Sequence, residues 1–182
     1  MLILDKMIKL KDGRTAILRS PREEDAAQLL EFLRITAGET DFLLRMPEEC
    51  DLTEEQERDW IRGCRESEYV CAIVCEVDGE IAGNCEVRFN KRLKIRHRSN
   101  VGIGLKRRFW NLGIGTAMFE ELIRVVREKE GVTQMELEFA QGNERGRALY
   151  EKMGFRVIGC RPDAFRLKDG TMLDEYMMLK VL

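Results

Sequence analysis

No apolar run in this sequence approaches the roughly 18 residues of a membrane span, so a helix threaded through a bilayer is excluded. The opening Met1-Leu2-Ile3-Leu4-Asp5-Lys6 sets an acid where a signal peptide needs continuous apolar residues, and a cytoplasmic protein is expected. Repeats, low-complexity tracts and Pro/Gly/Ser-rich linkers are missing, so residues 1–182 are expected to form one domain. Histidine is nearly absent: His97 stands alone, and the six cysteines at 50, 64, 71, 75, 85 and 160 contain no Cys-x-x-Cys pair. A zinc site draws on about four clustered Cys or His ligands, so no metal is expected. Cys71 and Cys75 lie in an apolar stretch, where a free thiol serves as a small hydrophobe, and reduced thiols are expected. Nor is there an excess of one charge; a formal net charge of −2 gives no global attraction to nucleic acid or membrane.

What is present is globular, with 44% apolar and 35% charged residues and enough chain to bury one core. Asp12-Gly13, Asp78-Gly79 and Asp169-Gly170 separate strand-like runs over roughly 2–10 and 14–19, 69–77 and 80–89, and 160–168 and 171–181. Asp-Gly supplies the positive φ angles of a type I′ hairpin, expected at all three. Ser20-Pro21-Arg22-Glu23 and Thr53-Glu54-Glu55-Gln56 read as capping boxes of two helices. A third helix is expected from about Gly113 to Glu130, with Ile114, Met118, Leu122 and Val126 on one stripe. Asn143 caps a fourth, which stops at Gly154. Strands 98–105 and 134–140 flank the third helix as one parallel crossover. The expected fold is α/β (α+β): a mixed, largely antiparallel central sheet of about seven strands flanked by about four helices.

From Val101 to Thr116 the chain reads as a strand, a turn and a helix start. Gly113 and Gly115 allow backbone amides to approach a ligand, and the helix opening adds unpaired N–H groups and a positive dipole end. Together these make a pyrophosphate cradle that needs no lysine. The competing reading is a tight turn whose glycines only permit packing. A P-loop fails because Gly115 is followed by Thr116 and Ala117, and a Rossmann fingerprint fails because position 118 is Met.

The turn Trp110-Asn111-Leu112-Gly113-Ile114-Gly115 stands about 30 residues before Asn143…Ala148-Leu149-Tyr150-Glu151-Lys152-Met153-Gly154-Phe155. The pair resembles the two cofactor motifs of the GNAT (GCN5-related) N-acetyltransferase superfamily. Leu18-Arg19, Asp25-Ala26 and Asp169-Gly170…Asp174-Glu175 are similar to its ribosomal-protein N-acetyltransferase-like branch. The resemblance implies acetyl-CoA as donor and a primary amine as acceptor, in a small molecule or at a protein N-terminus, attacked directly in a ternary complex. It leaves a homodimer open. It implies that Ile103, Gly104 and Leu105 offer backbone groups to pantetheine, and that Trp110, Asn111, Leu112, Gly113, Ile114, Gly115, Thr116 and Asn143 hold the rest of the cofactor. Three positions depart from the pattern. Trp110 replaces the usual Gln or Arg, Gly146 replaces the usual Ala, and strand 101–105 lacks the carboxylate that many relatives place there as a base.

Acetyl transfer needs a neutral amine, although a lysine-type amine has a pKa of about 10.4. It also needs a stabilised oxyanion and a protonated leaving thiolate. The resemblance sets the Tyr150 hydroxyl near the CoA sulfur as the acid; without the motif, a core tyrosine is the plainer reading. Glu86, Glu136 and Glu138 lie on strands near the presumed cleft. Glu138 or Glu86 is the candidate base acting through water, against the alternative of a solvated strand face. Because strand 101–105 has no carboxylate, a non-catalytic acyl-CoA-binding or sensing protein of the same fold is the competing function.

Two charge runs remain. Arg88 to Arg108 holds nine basic residues and no acid, open to reading as attraction of the anionic cofactor, as nucleic-acid binding, or as a solvated hairpin. Phe89, at one end, is the run's single aromatic, and this lack of aromatic interleaving counts against nucleic acid. Glu39 to Asp59 holds nine acids against Arg45 and Arg58, as a wall attracting a cationic amine or as a solvated helix face.

Overall fold

The computed structural model describes residues 1–182. One sheet runs through it, built from β1 (Lys6–Lys9), β2 (Thr15–Arg19), β3 (Val70–Val77), β4 (Glu80–Phe89), β5 (Arg98–Leu105), β6 (Gln134–Ala140), β7 (Arg156–Arg166) and β8 (Met172–Val181). The strand order is β1-β2-β3-β4-β5-β6-β8-β7, and only β5 and β6 run parallel. This is the expected mixed, largely antiparallel sheet, with eight strands rather than about seven. The short β1 pairs along most of β2, from Lys6–Leu18 to Lys9–Thr15. Four helices flank it: α1 (Ala26–Glu39), α2 (Glu54–Glu66), α3 (Ile114–Glu128) and α4 (Glu144–Lys152).

Local chemistry explains most boundaries. Thr53 Oγ1 accepts from Gln56 N (3.2 Å) and Gln56 Oε1 accepts from Thr53 N (2.9 Å), closing the expected box of α2. Asn143 Oδ1 accepts from Gly146 N (2.9 Å), and Gly154 stops α4 with φ +86°. The start of α1 differs from expectation. Ser20 Oγ accepts instead from Ile3 N (3.0 Å), and a 3₁₀ turn at Glu23–Asp25 precedes the helix, which begins at Ala26. The hairpins differ too. Only Asp78-Gly79 has both φ angles positive, as type I′ requires. At Asp12-Gly13 and Asp169-Gly170 only the glycine is left-handed, in three-residue loops closed by Leu10 N to Arg14 O (2.9 Å) and Leu167 N to Thr171 O (2.8 Å).

The larger core lies between α3, α4 and one face of the sheet, where Met118, Phe119, Leu122 and Val126 meet Ile73, Val87 and Met135. On the other face Ala26, Leu29 and Phe32 of α1 and Ile61 of α2 cover Val74 and Ile81. All six cysteines are free, and only Cys160 is exposed. Burial pushes the Cys71 thiol up to about 11 and the Cys75 thiol up to about 12, so both stay protonated as core hydrophobes. No helix is long and apolar enough to cross a membrane.

Candidate active site

The parallel pairing of β5 with β6 covers only Arg98–Gln134, Ser99–Met135 and Asn100–Glu136. Beyond it, β5 stays with β4 to Leu105–Gly83 and β6 stays with β8 to Ala140–Glu175, so the two strands part. The gap is a notch in the sheet with free backbone on both sides. Which groups face it follows from strand parity. Lys106 N–H bonds Ala82 O (3.0 Å) across β4, and successive residues alternate sides, so Ile103 and Leu105 turn their backbone groups to the notch. Gly104 turns its own to β4. Gln141 N–H bonds Asp174 O (2.8 Å), so Glu138 and Ala140 face the notch from β6. The Leu105 carbonyl is already taken by Trp110 Nε1 (2.9 Å), while its N–H is free.

At the end of the notch sits the helix opening. Gly113, at φ +93°, precedes α3 without any side-chain cap. The amides of residues 111–116 donate no backbone hydrogen bond within the protein. They form a row of free donors at a helix N-terminus, a seat for an anion. Gly115 also serves packing: a Cβ there would come within 2.9 Å of Leu149 Cδ2 on α4. Ile114 is buried and Leu112 packs against the core, its carbonyl accepting from Lys11 N (3.1 Å), so neither side chain reaches the cleft.

The notch and the helix opening share one cleft of about 1160 Å³. It is lined by Ile103, Gly104, Leu105, Trp110, Asn111, Gly113, Gly115, Thr116 and Asn143, and by Tyr150, Glu138 and Glu86. Tyr150 packs edge-on to Phe119 (centroids 5.5 Å apart) and tilted against Phe139 (5.8 Å). Burial pushes its phenol up to about 12. No protein group hydrogen-bonds its hydroxyl. Glu138 is exposed in the cleft with no ion pair, whereas Glu86 is held by Arg88 at 2.7 and 3.2 Å. Glu136 stands outside the cleft, locked by Arg98 through two 2.6 Å bonds. Burial alone would raise its carboxyl; Arg98 and Gln134 outweigh that and hold it below the usual range. His97 contributes its carbonyl, which accepts from Thr133 N at 2.9 Å.

Several lining residues were not singled out from the sequence. Lys11, Arg145 and Lys152 bring three cations to the cleft, none paired with a carboxylate. Arg145 lies over the Trp110 ring (4.5 Å) and bonds Asn111 Oδ1; Arg107 lies 5.5 Å from the same ring. The tryptophan thus keeps positive charge where the resemblance led one to expect a charged or amide side chain. Arg145 lies inside the second motif and was open to notice. Lys11 reaches the cleft only because the β1–β2 loop docks on Leu112. On the other side Glu86, Glu138 and Glu175 are joined by Phe42, Leu43, Leu44 and Phe165. None of the nine acids of the 39–59 run lines the cleft; that segment supplies apolar side chains instead.

Residues 16–156 match the family described as an acetyltransferase (GNAT) domain. An acetyltransferase of the GNAT family from Streptococcus pneumoniae shares the fold with a TM-score of 0.86 and 26% identity, over 92% of this chain and 99% of that one. The L-amino acid N-acetyltransferase AaaT of Escherichia coli (strain K12) is 27% identical over 109 residues, 60% of this chain and 67% of that protein. The yncA protein of Salmonella typhimurium, solved with its cofactor acetyl-CoA, shows the same fold at a TM-score of 0.79 and 18% identity, over 92% of this chain and 94% of that one. With a family match across most of its length and a sheet that opens beside a free helix N-terminus, this chain belongs to the GNAT acetyltransferase family.

Proposed function

We propose that the chain transfers the acetyl group of acetyl-CoA to a primary amine by direct attack within a ternary complex. The observation that carries this reading is the meeting of two open features in one cleft. A row of unpartnered strand groups suits the extended pantetheine arm, and a row of unpartnered helix amides suits the pyrophosphate. Lys11, Arg145 and Lys152 suit the anionic end, and Glu138, with no ion pair, suits a cationic acceptor beside Glu86 and Glu175, which Arg88 and Arg161 already hold.

The residues then divide the chemistry. One of the two notch-facing amides, Ile103 or Leu105, donates to a carbonyl oxygen that gains negative charge as the amine nitrogen bonds to its carbon, and the other serves the pantetheine arm. Tyr150 donates its hydroxyl proton to the sulfur as the C–S bond breaks and its electron pair leaves with the sulfur. Glu138 or Glu86 takes, through water, the proton that the amine sheds. The missing carboxylate of β5 does not leave the acceptor side bare. Gly102 is the register partner of Glu86, and nothing lies within 4 Å of where its Cβ would be, so open space for an amine adjoins a carboxylate on the neighbouring strand.

Thr116→Asp tests the cradle. An acid in the first turn suits the helix dipole, so folding stability should hold or rise. Acetyl-CoA affinity by calorimetry should fall about tenfold or more through repulsion of the pyrophosphate. Unchanged affinity would remove the loop from the donor site. Turnover is tested by thiol release from acetyl-CoA with peptides, polyamines, amino acids and aminoglycosides as acceptors. Tight donor binding with no release for any amine would favour the sensing protein.

A further inference from the structure

The nine basic residues from Arg88 to Arg108 part company in the structure. Arg88 pairs with Glu86, Arg98 with Glu136, and Lys106 and Arg108 with Glu80. Arg107 lies against Trp110. The four left over, Lys91, Arg92, Lys94 and Arg96, all sit exposed on the β4–β5 connection and pair with no carboxylate. A fifth cation joins them from the end of α3. Lys129 lies 5.5 Å from the Tyr69 ring centre and 5.7 Å from that of Phe89, and Lys91 lies 4.7 Å from the Tyr69 ring centre. Lys91, Arg96 and Lys129 line a separate cavity of about 410 Å³ with these two aromatic residues; Glu130 is the one acid in its wall. The Lys129 ammonium is further fixed by the backbone carbonyl of Glu68 (3.0 Å).

The run itself holds one aromatic, Phe89 at the end of β4, and the fold brings a second, Tyr69, from just before β3. Their faces hold two ammonium groups in place instead of standing open for stacking. The cluster lies just before the start of β5, and the cleft, which shares no lining residue with it, runs along β5 from Asn100 to Leu105, its far end roughly 20 Å away at about 3.3 Å per residue. In a chain of net charge −2, this concentration of unpaired cations is local and specific.

We propose that the β4–β5 connection and this cavity form a docking surface for the phosphate backbone of a single-stranded nucleic acid. Lys91, Arg96 and Lys129 line a hollow that admits phosphates of a flexible strand a few at a time, and Arg92 and Lys94 stand exposed on the same connection. A membrane surface is flat and rewards inserted apolar side chains, and here only Leu93, 78% exposed, stands free at the tip.

The test is fluorescence anisotropy with labelled RNA and DNA single strands of about 12 nucleotides over a salt series. Three or four phosphate contacts, at about 0.7 each, predict a log–log slope of about −2 to −3. The double variant Lys91→Glu/Arg96→Glu should lose about tenfold or more in affinity while acetyl-CoA affinity stays unchanged. A measurement on the unaltered protein stands beside it: the strand should shield Lys91, Lys94 and Lys129 from an amine-labelling reagent. No binding at low salt, equal binding by the double variant, or shielding confined to other lysines would overturn the proposal. So would capture by anionic vesicles through these residues with no binding of either strand.

Discussion

The surroundings of Tyr150 suit the proton donation proposed for it. A phenol pushed up to about 12 by burial carries its proton at every physiological pH, so it is always ready to donate and never a base. Tyr150→Phe should therefore lower kcat by roughly 10²–10⁴ where chemistry limits the rate, with acetyl-CoA affinity barely moved. Near-normal kcat would return Tyr150 to the core. An alkaline fall in rate well below pH 11 would belong to another group. On the acid side, kcat/KM should rise with pH as the amine is freed of its proton. If Glu138 relays that proton, Glu138→Gln should lose rate across the whole profile; Glu86→Gln tests its neighbour in the same way. Full rate in both, with an inflection that follows the acceptor's own pKa, would show that the enzyme takes amine already neutral. The residue types were readable beforehand, but their ranking was not. Glu136 and Glu138 share a strand face in the sequence, and only Arg98, 38 positions away in the chain, takes one of them out of play.

Among the elements, the junction of β2, β3 and α1 shows where local patterns stop being enough. Helix caps at Thr53 and Asn143 were legible because donor and acceptor lie within three residues. The start of α1 was not, because Ser20 is claimed by Ile3 and the buried Arg19 by Asp25 (2.7 and 2.8 Å) and Glu76 (2.9 Å). Burial alone would raise the Asp25 carboxyl; Arg19 and the Arg22 amide outweigh it, so its pKa lies below the ordinary value near 3.8. A carboxyl depressed on folding stabilises the protein above its unfolded pKa, and that contribution fades as pH falls through the folded value. Asp25→Asn should cost about 1–3 kcal/mol at neutral pH, because Arg19 loses its buried bidentate partner and keeps only Glu76. The deficit against the parent should begin to shrink below about pH 4, where the unfolded chain takes up the proton, and go on shrinking as pH falls toward the lower folded value. Denaturant titrations at pH 7 and pH 3 measure both; an equal deficit at the two values would mean that packing, not charge, is lost.

For the molecule as a whole, the sequence exposed the sheet class, the crossover and the helix opening, since each is written in short-range periodicity or in a glycine turn. The cations of the cleft were hidden because Lys11 and Lys152 come from elements 141 positions apart. Their meeting depends on a loop docking against Leu112 and on α4 crossing Gly115. The notch also has a mechanical meaning. Three residue pairs, bridged by the Arg98–Glu136 ion pair, are all the backbone pairing between a plate of five strands and a plate of three. A donor lying in the gap would rivet the plates together beyond that seam. In hydrogen-exchange measurements the Ile103, Leu105, Glu138 and Ala140 amides should trade protons freely in the empty protein and slow down once acetyl-CoA is added. The seam's stiffness, and with it the resistance of the fold to being pulled or digested apart, would then rise and fall with the supply of the donor.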